Sequence, residues 1–80
     1  MSDIQDRVNR CFSSVFAGIR PDQIVSASTE TLAAWDSVAH VRLLSLLEEE
    51  FGVQLEMEDF EDLVSHNLIV ERLQKLSANA

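Results

Sequence analysis

One stretch constrains the fold of this chain more than any other: the segment 35–52, which reads W-D-S-V-A-H-V-R-L-L-S-L-L-E-E-E-F-G. It opens with Asp36, a residue type that caps a helix N-terminus by accepting a backbone N–H bond. It closes with Gly52, the usual residue where a helix leaves through a left-handed turn. The residues between them predict one long helix whose first turn carries a hydroxyl, that of Ser37.

Steps of about 100° around the axis divide this helix into two faces. The apolar face comprises Ala39, Leu43, Leu44, Leu46, Leu47 and Phe51. The opposite face comprises Ser37, Val38, Val41, Arg42, Ser45, Glu48 and Glu49. The helix is therefore predicted to bury one side and to present a serine, small apolar residues and mostly acidic side chains on the other.

The remaining periodicity predicts an all-α fold, a small four-helix bundle with a long loop between the first and second helices and a short third helix. The first helix is expected from about 3 to 17, with Ser2 and Gln5 as a capping box. The short third helix is expected over 58–63 and the last over 67–76. Anchors of the long loop to the core are expected to be Ile24, Val25 and Leu32.

Size and charge limit the class of protein. Eighty residues predict a single domain spanning 1–80. The net charge is −8, from 14 acids against 6 bases, and eight of the acids lie between residues 48 and 62. Such a surface repels nucleic acids and anionic membranes and attracts basic protein patches. The sequence predicts a monomer with no nucleic-acid partner.

The location expected from the sequence is the cytoplasm. The single cysteine, Cys11, is predicted to fill the core, and one cysteine suits a reducing compartment. The N-terminus has no signal-peptide pattern, and no apolar run approaches the ~18 residues of a membrane span. No membrane insertion is expected, and no His/Cys cluster or calcium loop has the spacing of a metal site.

The pair Asp36-Ser37 at a helix start, followed by Leu43, Leu47 and the E-E-E-F of 48–51, resembles the acyl carrier protein family. The resemblance covers nearly the whole chain, including the long first loop and the acidic second half. It implies a single acyl-carrier-like domain in which Ser37 receives 4′-phosphopantetheine from coenzyme A. The thiol of that arm then holds an acyl or aminoacyl group as a thioester, and the carrier itself is not an enzyme.

The resemblance also implies partners and docking residues. The partners are a phosphopantetheinyl transferase, a ligase that loads the acyl or aminoacyl group, and downstream transferases or synthases. In the carrier interpretation Ser37 bears the arm and Asp36 caps the helix that presents it. The residues expected to form the docking face are Val38, Val41, Arg42, Glu48 and Glu49.

Several positions depart from the common pattern of the family. Ala34 and Val38 stand where many members have Gly and Leu, and Arg42 stands where fatty-acid carriers usually have acids. A cation there weakens docking to a purely basic partner. These departures favour a specialised carrier over the housekeeping fatty-acid carrier. The pathway could be polyketide, peptide, lipid or cell-envelope synthesis, including D-alanyl transfer.

Two other functions compete with the carrier. An unmodified helical adaptor would dock basic partners through the acidic face. A serine hydrolase would use Ser37, His40 and Asp36, although no G-x-S-x-G elbow is present. The sequence also predicts the positions of two further side chains. His66 is expected at the surface or as a helix cap. Trp35 packs either under the long loop or at the rim of the docking face.

Overall fold

The computed structural model describes residues 3–78 and contains five α-helices within that range. They are α1 (Asp3–Val15), α2 (Pro21–Val25), α3 (Ser37–Phe51), α4 (Met57–Asp62) and α5 (His66–Ala78). The predicted all-α class is confirmed for this range, where the one β-type pairing is an isolated antiparallel bridge between Ser28 and Ser65. The predicted capping box of Ser2 lies outside the described residues.

The additional helix is α2, which lies in the segment predicted as loop. Pro21 occupies its first turn, where the fixed φ of proline suits a helix start, and the Arg20 amide donates to Oε1 of Gln23 at 3.0 Å. Ile24 is buried as expected. Val25 is 45% exposed, so its predicted role as a core anchor is wrong. In a helix this short, one face turns inward and Val25 lies on the outer one.

The core forms where α3 and α5 each pack against α1. The three buried leucines of α3 are Leu43, Leu44 and Leu47, which belong to the predicted apolar face. The other buried apolar side chains are Val8, Cys11, Phe12, Phe16, Ile24, Ala27, Trp35, Leu55, Leu63, Ile69 and Leu73. Burial of apolar side chains at about 25 cal/mol per Å² is the main favourable term that holds these helices together.

The long connection between α1 and α3 is tied to the start of α5 by backbone hydrogen bonds. The amide of Thr29 donates to the carbonyl of Val64 at 2.9 Å, and the amide of His66 donates to the carbonyl of Ala27 at 2.9 Å. Ser65 Oγ accepts the amide of Leu68 at 3.3 Å, as a cap of α5 should. These bonds fix the position of the connection that leads to Asp36.

His66 differs from its prediction as a surface or cap residue, because it is 2% exposed. Its ring Nε2 donates to Oδ1 of Asn9 at 2.7 Å, and the ring packs edge-on against Phe12 with centroids 5.4 Å apart. Both partners lie on α1, far away in sequence. The residues near His66 in the sequence therefore do not indicate that its side chain is buried.

Candidate functional site

Ser37 is the first residue of α3 and is exposed to solvent. The preceding residue, Asp36, has the extended backbone of an N-cap (φ −92°, ψ −174°), and its Oδ1 accepts the amide of Ala39 at 2.9 Å. Gly52 ends the helix in the left-handed conformation, with φ 64°. The predicted bounds of this helix are confirmed. Within residues 3–78 the Ser37 hydroxyl makes no hydrogen bond, so it is free to react with an external group.

Trp35 packs under the connection, which decides between its two predicted positions. The indole is 3% exposed and meets the ring of Phe12 edge-on at 5.4 Å and the ring of Phe16 at 6.0 Å. Its amide donates to the carbonyl of Leu32 at 2.9 Å. Because Trp35 is anchored in the core one residue before the cap, the start of α3 is held in one position.

His40 joins the start of α3 to α4. Its Nδ1 accepts the indole N–H of Trp35 at 2.9 Å, and its Nε2 donates to the carbonyl of Phe60 at 2.6 Å. Both ring nitrogens are therefore engaged. In this arrangement neither nitrogen is available to take a proton from Ser37, which is what the hydrolase alternative requires.

Four of the five side chains expected on the docking face are exposed. Val38 and Val41 are 68% and 52% exposed, and Arg42 and Glu49 are also exposed. Glu48 is half buried, and its Oε2 accepts the amide of Leu55 at 2.8 Å. The Glu48 carboxylate thus stabilises the turn after α3. Docking through these residues stays a prediction.

Arg42 is the positively charged residue of the expected docking face. Among residues 3–78, the ion pairs join Arg7 to Glu50, Arg20 to Asp22 and Arg72 to Asp59, and none involves Arg42. A groove of about 500 Å³ runs beside Arg42, between the C-terminal end of α1, the connection and the first turns of α3. Asp36 and Val38, the two neighbours of Ser37, both line it.

Cys11 is buried, as predicted for a core residue. Burial, with a smaller contribution from the charge of Glu50, raises the pKa of its thiol to about 11. Since the thiolate is the reactive form, this thiol is inert near neutral pH.

Residues 3–78 contain no group of three or more His, Cys, Asp and Glu side chains arranged to hold a metal ion. The helices of that range are all too short or too polar to cross a lipid bilayer.

Comparison with protein-family models, with curated proteins and with solved structures found no significant match.

The sequence identified the serine and its cap but missed the groups that hold them in place. The Trp35–His40 bond and the contact of His40 with Phe60 depend on three separate segments meeting. The Glu48 bond to Leu55 likewise depends on the path of the chain after Gly52. The sequence gives only a weak indication of the contact between Trp35 and His40: a single tryptophan stands before the cap, and a histidine stands one turn into the helix.

Proposed function

We propose that this protein is a carrier that bears a 4′-phosphopantetheine group on Ser37. The Ser37 hydroxyl would lose its proton and displace adenosine 3′,5′-bisphosphate from coenzyme A as the new phosphodiester bond forms. The observation that carries the proposal is that Ser37 is exposed at the first position of a 15-residue helix capped by Asp36, and that its hydroxyl makes no hydrogen bond among residues 3–78. When bound, the group supplies a thiol that holds acyl or aminoacyl cargo as a thioester. The carrier performs no catalysis itself.

The residues present fit such a group. A phosphodiester on Ser37 would lie at the N-terminus of α3, where free amides and the helix dipole favour an anion. The anchored Trp35 and the Asp36 cap keep this position presented to a modifying enzyme. A flexible tether then raises the effective concentration of the cargo at a docked partner. In this proposal α1, α3, α4 and α5 are the four helices of a carrier bundle, and α2 belongs to its long first connection.

The partners follow from this role: a phosphopantetheinyl transferase, a ligase that loads the cargo, and downstream transferases or synthases. They would meet the docking face of Val38, Val41, Arg42, Glu48 and Glu49. Arg42, which has no ion pair within the described range, supports a partner surface of mixed charge. This favours a specialised carrier, working in the cytoplasm where thiols stay reduced.

Intact mass spectrometry tests the proposal directly. Incubation with coenzyme A and a phosphopantetheinyl transferase of broad specificity should add one phosphopantetheinyl group to the wild-type protein. Ser37→Ala should abolish the gain, whereas Ser45→Ala, which removes another exposed serine of α3, should leave it intact. The absence of any gain, or a gain that persists in Ser37→Ala, contradicts the proposal.

A second candidate, an unmodified adaptor, is favoured by the exposed valines Val38 and Val41. Exposed apolar side chains beside charged ones are typical of docking surfaces. The adaptor predicts partner binding that is unaffected by Ser37→Ala and lost on charge reversal of Glu48 and Glu49. A carrier predicts that delivery of cargo is lost in Ser37→Ala, so the two functions separate on that single variant.

A further inference from the structure

The groove beside Arg42 lies on the α3 flank that faces the end of α1. Its volume of about 500 Å³ falls in the range of about 300–1,000 Å³ that is usual for small-molecule sites. The lining combines polar and apolar surface in similar amounts, and among its apolar residues Phe16 is buried and Ile19, Leu32 and Ala39 are half buried. Its polar groups include the exposed side chains of Arg42, Asp36 and Gln23.

This groove is close to Ser37 in two ways. Asp36 and Val38, which flank Ser37 in the chain, both form part of its wall. Arg42 lies five residues further along α3, about 7.5 Å along the axis at 1.5 Å per residue. A flexible group attached to Ser37 can therefore reach the guanidinium of Arg42 and the apolar wall beside it.

We propose that this groove is the resting site of the phosphopantetheine arm, an inference that rests on the proposed function. The arm combines a phosphate, two amides and a pair of methyl groups on one carbon. Arg42 can donate hydrogen bonds to its phosphate or amide oxygens, and its five donors are uncommitted to any ion pair within residues 3–78. The methyl groups match the wall formed by Val38 and Ile19.

Two physical reasons favour this occupant. The arm is tethered one residue away from the wall of the groove, and its effective concentration is in the millimolar range or above. A shallow groove that would hold a free molecule weakly is therefore occupied by a tethered one. By contrast, the core side chains Phe12, Leu43, Leu44, Leu47 and Ile69 are 0% exposed, so an arm on Ser37 cannot contact them in this structure.

Nuclear magnetic resonance of the phosphopantetheinylated protein provides the first test. Nuclear Overhauser contacts are expected from the methyl groups of the arm to the side chains of Val38 and Ile19. Modification should also shift the amide resonances of Gln23 and Arg42 more than those of Val41 and Glu49, which lie outside the groove. Shifts confined to residues 36–38, with no contacts to Ile19, overturn the inference.

Paired variants supply the second test. Ala34 lines the groove and Ala33 does not, and both are exposed residues of the same turn. In the modified protein, Ala34→Trp should abolish the contacts between the arm and Ile19, whereas Ala33→Trp should preserve them. Arg42→Gln should weaken the same contacts, with Arg10→Gln, which removes an exposed arginine outside this groove, as its control.

Reactivity of the added thiol gives a readout independent of spectral assignment. A docked arm reacts only while it is released, so Ala34→Trp should raise the rate of thiol alkylation by at least about two-fold over Ala33→Trp. The buried Cys11 thiol, with its pKa raised to about 11, does not interfere. Equal rates and equal contacts in all four variants overturn the inference.

The outcomes separate this inference from the proposed function. Absence of the mass gain on Ser37 contradicts the carrier itself. A normal mass gain with a freely mobile arm contradicts the groove as a resting site and leaves the carrier standing. Contacts of Arg42 with a docked transferase, seen only in the complex, would assign the groove to the partner and overturn the inference as well.

Discussion

His66 is the buried titratable side chain at the junction of α1 and α5. Its Nε2 is bonded to Asn9, and its Nδ1 is buried with no hydrogen-bond partner among residues 3–78. Burial lowers the pKa of this imidazole below 6.5, because a charged ring would lose its hydration and gain no acceptor at Nδ1. The folded protein therefore holds His66 in its neutral form.

This burial predicts that acid destabilises the fold through His66. Well above pH 6.5 the ring is neutral in both the folded and the unfolded state, and the full stability is present. As the pH falls below 6.5, the unfolded chain takes up a proton that the folded chain resists, so the free energy of unfolding decreases. Urea titrations at pH 7 and pH 5 should show this decrease.

The His66→Gln variant isolates the contribution of the imidazole. Glutamine can still donate to Asn9 but does not titrate, so the variant should lose less stability between pH 7 and pH 5 than the wild type does. Contributions from carboxylates are common to both proteins and cancel in the comparison. An equal decrease in the two proteins would assign the acid sensitivity to other groups.

At the scale of single elements, α4 is a short helix held by polar contacts to its neighbours. The carbonyl of Phe60 accepts His40 Nε2 at 2.6 Å, and Asp59 forms an ion pair with Arg72 of α5 at 3.0 Å. Asp59 also accepts the amide of Glu56 at 2.8 Å, which stabilises the start of α4. Buried apolar contact comes from Leu63 at the C-cap of the helix.

These contacts predict that His40 controls the local stability of α4. In His40→Ala the part-buried Trp35 indole N–H and Phe60 carbonyl both lose their partner, at about 1–2 kcal/mol for each group. We expect a loss of about 2–4 kcal/mol in the free energy of unfolding. Hydrogen exchange should speed up more for the amides of α4 than for those of α1.

Trp35→Phe is the matched control for that variant. It removes the indole N–H but keeps an aromatic ring against Phe12 and leaves the bond from His40 to Phe60 intact. Exchange within α4 should therefore stay close to the wild-type rates. If both variants loosen α4 equally, the link from His40 to Phe60 is not what holds this helix.

The sequence predicts some helices better than others. A helix is predicted well when the residues that set its bounds lie within it or next to it. The bounds of α3 follow from Asp36 and Gly52, which act on their own helix. The predicted end of α1, at residue 17, is two residues beyond Val15, because Gly18 adopts its left-handed turn (φ 83°) only after the helix has already ended. The five residues of α2 are too few to show a helical period.

The candidate site also has local features, which the sequence predicts, and features that depend on distant segments, which it does not. Ser37 and its cap are local features and could be predicted, as could the exposure of Val38 and Arg42. The engaged carboxylate of Glu48 and the groove could not, because each requires segments distant in sequence to meet.

Across the whole molecule, the acidic segment 48–62 sets the electrostatics. Of its eight acids, Glu50 pairs with Arg7 and Asp59 pairs with Arg72. The acids of this segment that are exposed and in no ion pair within the described range are Glu49, Glu56, Glu58, Glu61 and Asp62. With a net charge of −8, the folded chain brings these carboxylates closer together than the unfolded chain does. Their mutual repulsion lowers the stability of the fold.

Divalent cations are therefore expected to stabilise the protein by screening this cluster. Millimolar Mg²⁺ or Ca²⁺ should raise the melting temperature by several degrees, since about 1 kcal/mol corresponds to about 4–8 °C in a domain of this size. KCl at the same ionic strength should raise it less, because a divalent ion concentrates more strongly at clustered carboxylates.

A variant that neutralises part of the cluster distinguishes this screening from a general effect of salt. With Glu58→Gln, Glu61→Gln and Asp62→Asn combined, the melting temperature without Mg²⁺ should already be higher, and the further rise on adding Mg²⁺ should be smaller. A flat response of the wild type, or an equal response of the neutralised variant, would show that repulsion within this segment does not limit the stability of the fold.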